Sequence, residues 1–279
     1  MRILDLGKTL TGLALLMATG SALAECRDEW ICVDAVNEGG NIEFHARNLG
    51  DFPITYTLKI SGPRQLHIDG PDTVTRTLAP KQAQQAMQLK SAGAIGNSGY
   101  RIDYEWTVGD KDAIHDDDHV YSLPYASGTL YRVLQGYGSR FSHTGLEEFA
   151  IDFDMPVGTP VHAARDGVVA RVVDGNSEGC WEDGCGRYAN FVVILHSDGT
   201  TGEYYHLMQD GSLVSAGERV WQGQRIAYSG NTGHTTMPHL HFAVYRATDW
   251  GNTQSIPVRF QGTDGIIVKP RRGGRYQAL

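Results

Sequence analysis

The sequence predicts a mainly β protein with two domains behind a short leader, and three observations predict it. Short segments of alternating apolar and polar residues follow one another from Asn41 onward. They are separated by Gly, Pro, Asn and Asp, the residues that make turns. Almost no stretch carries the 3.6-residue period of an amphipathic helix.

The leader comes first. Met1 to Lys8 precede the mostly apolar run Thr9 to Met17, and small residues follow through Ala24. This is the pattern of a secretory signal peptide, with cleavage expected after Ala24. Glu25 separates Ala24 from Cys26, which argues against a lipoprotein signal. No later stretch approaches the roughly 20 apolar residues of a spanning helix. The expectation is an exported mature chain, periplasmic or secreted, with no integral membrane segment.

The four cysteines fall into two close pairs, Cys26 with Cys32 and Cys180 with Cys185. In an oxidising compartment such pairs read as local disulfides, although four cysteines allow three pairings. Neither pair has the two-residue spacing of common zinc knuckles. The Cys180–Cys185 loop is expected to hold one wall of a groove. With 24 basic and 32 acidic side chains the net charge is −8, which gives little grip on nucleic acid. The one basic cluster, Lys269 to Arg275, is expected to be a solvated tail.

Residues 25–125 read as the first domain. Ile42–Ala46, Ile54–Ile60 and Tyr100–Trp106 alternate with period two and are rich in β-branched and aromatic residues, which argues for an immunoglobulin-like β-sandwich. A helix is expected only around Lys81 to Leu89. His115-Asp-Asp-Asp-His119 contains metal-ligand residue types, but its Gly and Asp neighbours make it an exposed turn. Near Ala126 glycine becomes frequent and histidines recur. Residues 126–260 read as a second, antiparallel β domain and 261–279 as the tail. Its expected strands include Val168–Asp174, Tyr188–His196, Gly202–Leu207, Gln224–Tyr228 and His239–Arg246, with a hairpin turn at Ser197–Thr201.

Along the last of these strands, alternation puts His239, His241, Ala243 and Tyr245 on one face and Leu240, Phe242 and Val244 on the other. A His-x-His pair alone is more often structural than functional, since paired surface histidines on strands are not rare. Its company is informative. The segment Phe141–Val169, with Phe141-Ser-His-Thr-Gly145 and Ile151-Asp-Phe153, is joined by Glu203-Tyr-Tyr-His-Leu207 and by Ser229–Phe242. Together they resemble the lysostaphin-like zinc metallopeptidases, over about Tyr131 to Tyr245 and in that family's order and spacing. The resemblance implies a lysostaphin-type peptidase domain with Asp152 and His241 as zinc ligands. It implies that His206 and His239 flank the metal, orient or deprotonate the attacking water and stabilise the oxyanion. Two imidazoles and a carboxylate leave a fourth position open for water.

The third ligand departs from the family pattern. Its usual position, four residues before the aspartate, is Glu148, and the nearest histidine is His143. Three readings stand: a longer loop delivers His143, Glu148 substitutes as ligand, or the site has decayed. The first is preferred, giving one zinc ion held by His143, Asp152 and His241. His162 is expected to be a satisfied side chain, His196 to be exposed and His234 to lie near substrate.

The implied activity is hydrolysis of peptide bonds in the stem or cross-bridge peptides of bacterial peptidoglycan. An inactive wall-binding or amidase-activating module of the same fold is the alternative, with an amidase as partner. No His-Glu-x-x-His helix and no Gly-x-Ser-x-Gly elbow points to another hydrolase class.

Overall fold

The computed structural model describes residues 23–27, 29–93 and 98–279. The signal-peptide assignment falls almost wholly outside the described residues. Strand content dominates, and the described helices are two short 3₁₀ turns, Gly145–Glu147 and Cys185–Tyr188.

Chain contacts separate an N-terminal unit ending at Lys111, joined by Ala247–Asn252, from a C-terminal unit that resumes at Asp112. In the N-terminal unit a five-stranded sheet runs in the order Leu23–Arg27, Ile31–Glu38, Asn41–Asn48, Ala83–Ser91, Leu66–Ile68, and a three-stranded sheet in the order Thr73–Leu78, Ile54–Arg64, Gly99–Val108. Asn41–Asn48 shows the alternation expected of a strand with one buried face, and Phe44, Tyr56 and Leu58 are fully buried in the core that the unit encloses. The sandwich therefore has five and three strands, against the four and three of an immunoglobulin constant domain. The segment expected to be helical is instead the strand Ala83–Ser91, paired antiparallel with Asn41–Asn48. Burial of Ala86, Met87 and Leu89 outweighs the helix preference of its Gln, Ala and Leu residues.

The C-terminal unit begins ahead of the expected boundary at Ala126, because Tyr121, Leu123 and Tyr125 are core residues and Val120–Ser122 pairs in parallel with Arg259–Gly262. Its main sheet runs Arg219–Val220, Gly167–Val173, Phe191–Leu195, Thr201–Tyr205, Leu240–Ala247, Ile151–Phe153, Leu130–Gln135, Arg275–Gln277. The Ser197–Thr201 turn does connect two of these strands as a hairpin. A smaller sheet of Pro160–His162, Arg225–Ser229 and Leu207–Ser212 contributes Val161, Ala227 and Leu207 to the same core as Phe242, Leu240 and Ile194. The face predicted to be apolar, Leu240, Phe242 and Val244, is in that core.

The basic side chains Lys269, Arg271, Arg272 and Arg275 are exposed, as expected of a solvated segment, but the backbone of the tail is part of the fold. Arg275–Gln277 pairs with Leu130–Gln135, Tyr276 packs on the core and Ala278 is buried. The charge of Lys269–Arg275 concealed an alternating strand just beyond it. His196, expected outside, is 3% exposed and donates from Nδ1 to the Asp166 carbonyl at 2.9 Å; burial pushes its pKa down to about 4. His162 donates to the Gly223 carbonyl at 2.7 Å, as a satisfied side chain should. In the His115–His119 turn Asp117 and Asp118 are exposed, but both histidines pack against the Tyr121 ring. Both cysteine pairs form disulfides, Cys26–Cys32 and Cys180–Cys185.

Because Phe242 is fully buried at the centre of the main sheet, Phe242→Ala should destabilise the chain by about 3–5 kcal/mol in equilibrium denaturation under non-reducing conditions. A loss under 1 kcal/mol would mean that the site-bearing strand is not anchored in this core.

Candidate metal centre

One rung across the main sheet assembles the site. Gln135 lies opposite Asp152, Asp152 opposite His241, and His241 opposite Tyr205, on four neighbouring antiparallel strands. Side chains of paired residues share a face, so the carboxylate and the imidazole meet: Asp152 Oδ1 is 2.9 Å from His241 Nδ1. The loop after Gln135 brings His143 to the same oxygen, with Nε2 at 3.2 Å. Gln135 ties this loop to the strand, donating from Nε2 to Ser142 Oγ at 2.7 Å and to Asp152 Oδ2 at 2.6 Å.

His143, Asp152 and His241 are all buried, and their ligand atoms lie within 4.8 Å of one another. Among the described residues this is the one such group of three or more His, Cys, Asp or Glu side chains. Glu148 is outside it and exposed, and its carbonyl serves the loop by accepting from Gly138 N.

The donor set fits a divalent cation. Both ring nitrogens of His143 are buried without a hydrogen-bond partner, which is costly unless something electrophilic meets them. Against burial, the carboxylates of Asp152, hydrogen-bonded to Nδ1, and of Glu147, 3.7 Å from Nε2, raise the His241 pKa to about 10. Burial, which opposes ionisation, is likewise outweighed at Asp152, where His239 and His143 hold the carboxyl well below the usual range. The cluster thus favours positive charge at its centre, and proton and metal compete for the same imidazole.

Behind His241 lies a support that the sequence reading did not single out. His241 Nε2 is 3.1 Å from Tyr245 Oη, which donates to Glu147 Oε2 at 2.6 Å. Tyr245 was legible as a same-face neighbour of His241; Glu147 was not, because it arrives on the Gly145–Glu147 turn rather than on a strand. Such a chain fixes the orientation of a ligand ring. Beside it, Glu203 is fully sequestered, accepting from Thr201 Oγ1 at 2.8 Å and Tyr205 Oη at 2.7 Å, and burial raises its pKa.

His206 and His239 sit next to the cluster with ring centroids 4.5 Å apart. His206 Nδ1 donates to the Thr232 carbonyl at 2.7 Å and His239 Nδ1 to the Met237 carbonyl at 2.8 Å. A carbonyl only accepts, so Nδ1 carries a proton in each ring, and in the neutral tautomer Nε2 is then the acceptor. Burial, and then the neighbouring His239 and His241, hold the His206 pKa well below its ordinary value. His206 also adopts φ = 63°, between the strands ending at Tyr205 and starting at Leu207. That left-handed conformation costs a non-glycine residue about 1–3 kcal/mol.

Asp152, His206, His239 and His241 line a cleft whose lining also includes Phe141, Trp181, His234 and Met237. Phe141 and Trp181 stack at 5.3 Å, and Trp181 lies 4.2 Å from the His234 ring. Trp181 belongs to the loop closed by Cys180–Cys185. His234, expected near substrate, thus lines the cleft.

The geometry has a counterpart among known proteins, since residues 147–256 match peptidase family M23. Residues 147–256 form a peptidase family M23 domain. The chain is 36% identical over 124 residues to the peptidoglycan DD-endopeptidase ShyA of Vibrio cholerae, covering 43% of this chain and 26% of ShyA. It is 34% identical over 137 residues to the glycyl-glycine endopeptidase ALE-1 of Staphylococcus capitis, covering 48% of this chain and 35% of ALE-1. Among solved structures it is similar to the antimicrobial peptidase lysostaphin from Staphylococcus simulans, at 30% identity and a TM-score of 0.33, over 45% of this chain and 47% of that one. The chain therefore spans about a quarter to a third of the length of these two curated relatives. His143 lies just ahead of the segment matched to the M23 family.

Alanine at His143, Asp152 or His241 should abolish zinc retention, and Glu148→Ala should leave it intact. Glu147→Gln should weaken zinc affinity by about 10- to 100-fold through its effect on His241, as read by chelator competition. Zinc kept by His143→Ala and lost by Glu148→Ala would contradict the assignment.

Proposed function

We propose that this chain is an exported zinc-dependent metallo-endopeptidase that hydrolyses peptide bonds of bacterial peptidoglycan, acting after removal of residues 1–24. The observation that carries the reading is the convergence of two sets of groups at one cleft. His143, Asp152 and His241 are grouped for a metal, and His206 and His239 are held beside them with Nδ1 committed to backbone carbonyls. The M23 match and the peptidoglycan DD-endopeptidases among the relatives support the substrate class. Two disulfides suit an oxidising compartment.

His143, Asp152 and His241 would hold the zinc. Bound there, zinc supplies Lewis acidity, polarising the scissile carbonyl and acidifying water. The remaining chemistry belongs to the chain. With Nδ1–H committed to a backbone carbonyl, the Nε2 of His206 or His239 can take the proton of the attacking water. Once protonated, the same nitrogen becomes a donor that can stabilise the oxyanion or return the proton to the leaving amine. The Thr232 and Met237 carbonyls keep both rings in that tautomer. Gln135 and the Tyr245–Glu147 pair keep Asp152 and His241 in register with them.

His206→Ala and His239→Ala should each retain zinc and fold while losing turnover by roughly 10²- to 10⁴-fold. The assay is release of peptide fragments from purified peptidoglycan, with new amino termini identified by mass spectrometry. Zinc-loaded wild type that leaves peptidoglycan intact while stimulating a separate amidase would replace the enzyme reading with the activator reading.

A further inference from the structure

The basic segment Lys269–Arg275 is a sequence feature that the peptidase reading leaves without a role. In the structure it is pinned beside the cleft. Gly273 N donates to Val133 O at 2.8 Å and Val133 N donates to Gly274 O at 2.8 Å. Gly136 makes the close approach feasible, since a Cβ there would overlap the Pro270 carbonyl oxygen. The turn at Arg272 is thereby held over the strand Leu130–Gln135, which carries Arg132 as well as Gln135.

Arg132 and Arg272 both line the cleft that contains Asp152, His206, His239 and His241. Both are exposed, and neither has a side-chain hydrogen bond or ion pair among the described residues. The carboxylate in the lining, Asp152, is already committed to His143 and His241. A cleft with two unpaired guanidiniums is not a consequence of composition, because the chain as a whole carries a net charge of −8. Fixed cations in a concave site select anionic ligands, and guanidinium matches carboxylate geometry with paired donors.

Resting on the peptidase reading, we infer that Arg132 and Arg272 form a subsite for a substrate carboxylate, so that the enzyme selects anionic peptides over neutral glycine peptides. Position follows from strand geometry. Arg132 lies three residues before Gln135, within about 10 Å along a strand whose bulge between Val133 and Gln135 returns the two residues to one face, and Gln135 contacts Asp152 directly. With the reach of an arginine side chain, the recognised carboxylate belongs to a residue one or two positions from the scissile amide. The opposite chemistry, the exposed Phe141–Trp181 stack, is left to apolar parts of the ligand.

The test uses the zinc-loaded full chain and two synthetic cross-linked stem peptides. They are identical except that the carboxyl group beside the scissile amide is free in one and a primary amide in the other. Wild type should prefer the free carboxylate by about 10-fold or more in kcat/KM, mainly through KM, as a charge-assisted hydrogen bond would give. Arg132→Gln and Arg272→Gln should each reduce that preference ratio several-fold and the double variant should abolish it, while Arg→Lys at either position retains part of it. Unchanged thermal unfolding will show that these exposed substitutions leave the fold intact. Binding of both peptides to the zinc-loaded His239→Ala chain, measured by calorimetry, separates the two levels of the argument. Cleavage without a carboxylate preference, or a preference that survives the double variant, overturns the arginine subsite and leaves the peptidase standing. Preferential binding that the double variant abolishes, with no cleavage by wild type, supports the subsite and overturns the peptidase. Neither binding nor cleavage overturns both.

Discussion

The register that sets Asp152 opposite His241 is the constraint on which the rest of the site depends. In an antiparallel sheet a slip of one residue turns every side chain to the other face. Here it would send Asp152 into the core and bring Ile151 or Phe153 to the metal side. The apolar residues prevent it. Ile151, Phe153, Leu240, Phe242 and Val244 share one core, and each buried side chain of that size contributes about 1.5–3 kcal/mol. Hydrophobic burial on one face therefore enforces the alignment of polar groups on the other. The strain at His206 is affordable in the same terms, because the flanking Tyr205 and Leu207 are buried and the His206 ring is bonded to Thr232.

Electrostatics around the rung are layered. Nearest the metal side, three imidazoles approach the Oδ1 atom of Asp152, from His241 at 2.9 Å, His143 at 3.2 Å and His239 at 3.7 Å. Behind them Glu147 holds Tyr245, and Tyr245 meets His241. In front, the cleft offers an aromatic wall on a disulfide-closed loop and two arginines on a strand and a pinned turn. Each layer is supplied by a different part of the C-terminal unit, so the chemistry belongs to the sheet as a whole rather than to a single motif.

Much of this was legible in the sequence, for a physical reason. Strands with one buried face must alternate, and the alternation of Leu240–Tyr245 assigned both the core face and the histidine face. His143 was reached through its exposed-loop motif, and the structure brings it, rather than Glu148, to Asp152. Glu147 and Gln135 were missed because their roles arise from a turn and from a cross-strand pairing, neither of which leaves a periodic signature. His196 was misread because a polar residue at a strand end is usually exposed; its bond to the Asp166 carbonyl allows it to be buried. In the C-terminal segment the solvation of the basic side chains was legible, whereas the strand Arg275–Gln277 was missed because charge outweighed its pairing capacity in the reading. In the N-terminal unit, Ala83–Ser91 has residues suited to either helix or strand, and the neighbouring strand Asn41–Asn48 decides between them.

The central claim is that His143, Asp152 and His241 alone supply the protein ligands of a zinc ion. X-ray absorption at the zinc edge of the loaded full-length chain tests it most directly. The account predicts nitrogen and oxygen neighbours only, with multiple scattering from two imidazole rings. A sulfur neighbour, or scattering from three or more imidazoles, would contradict it by drawing the cysteines, or His206 and His239, into the coordination.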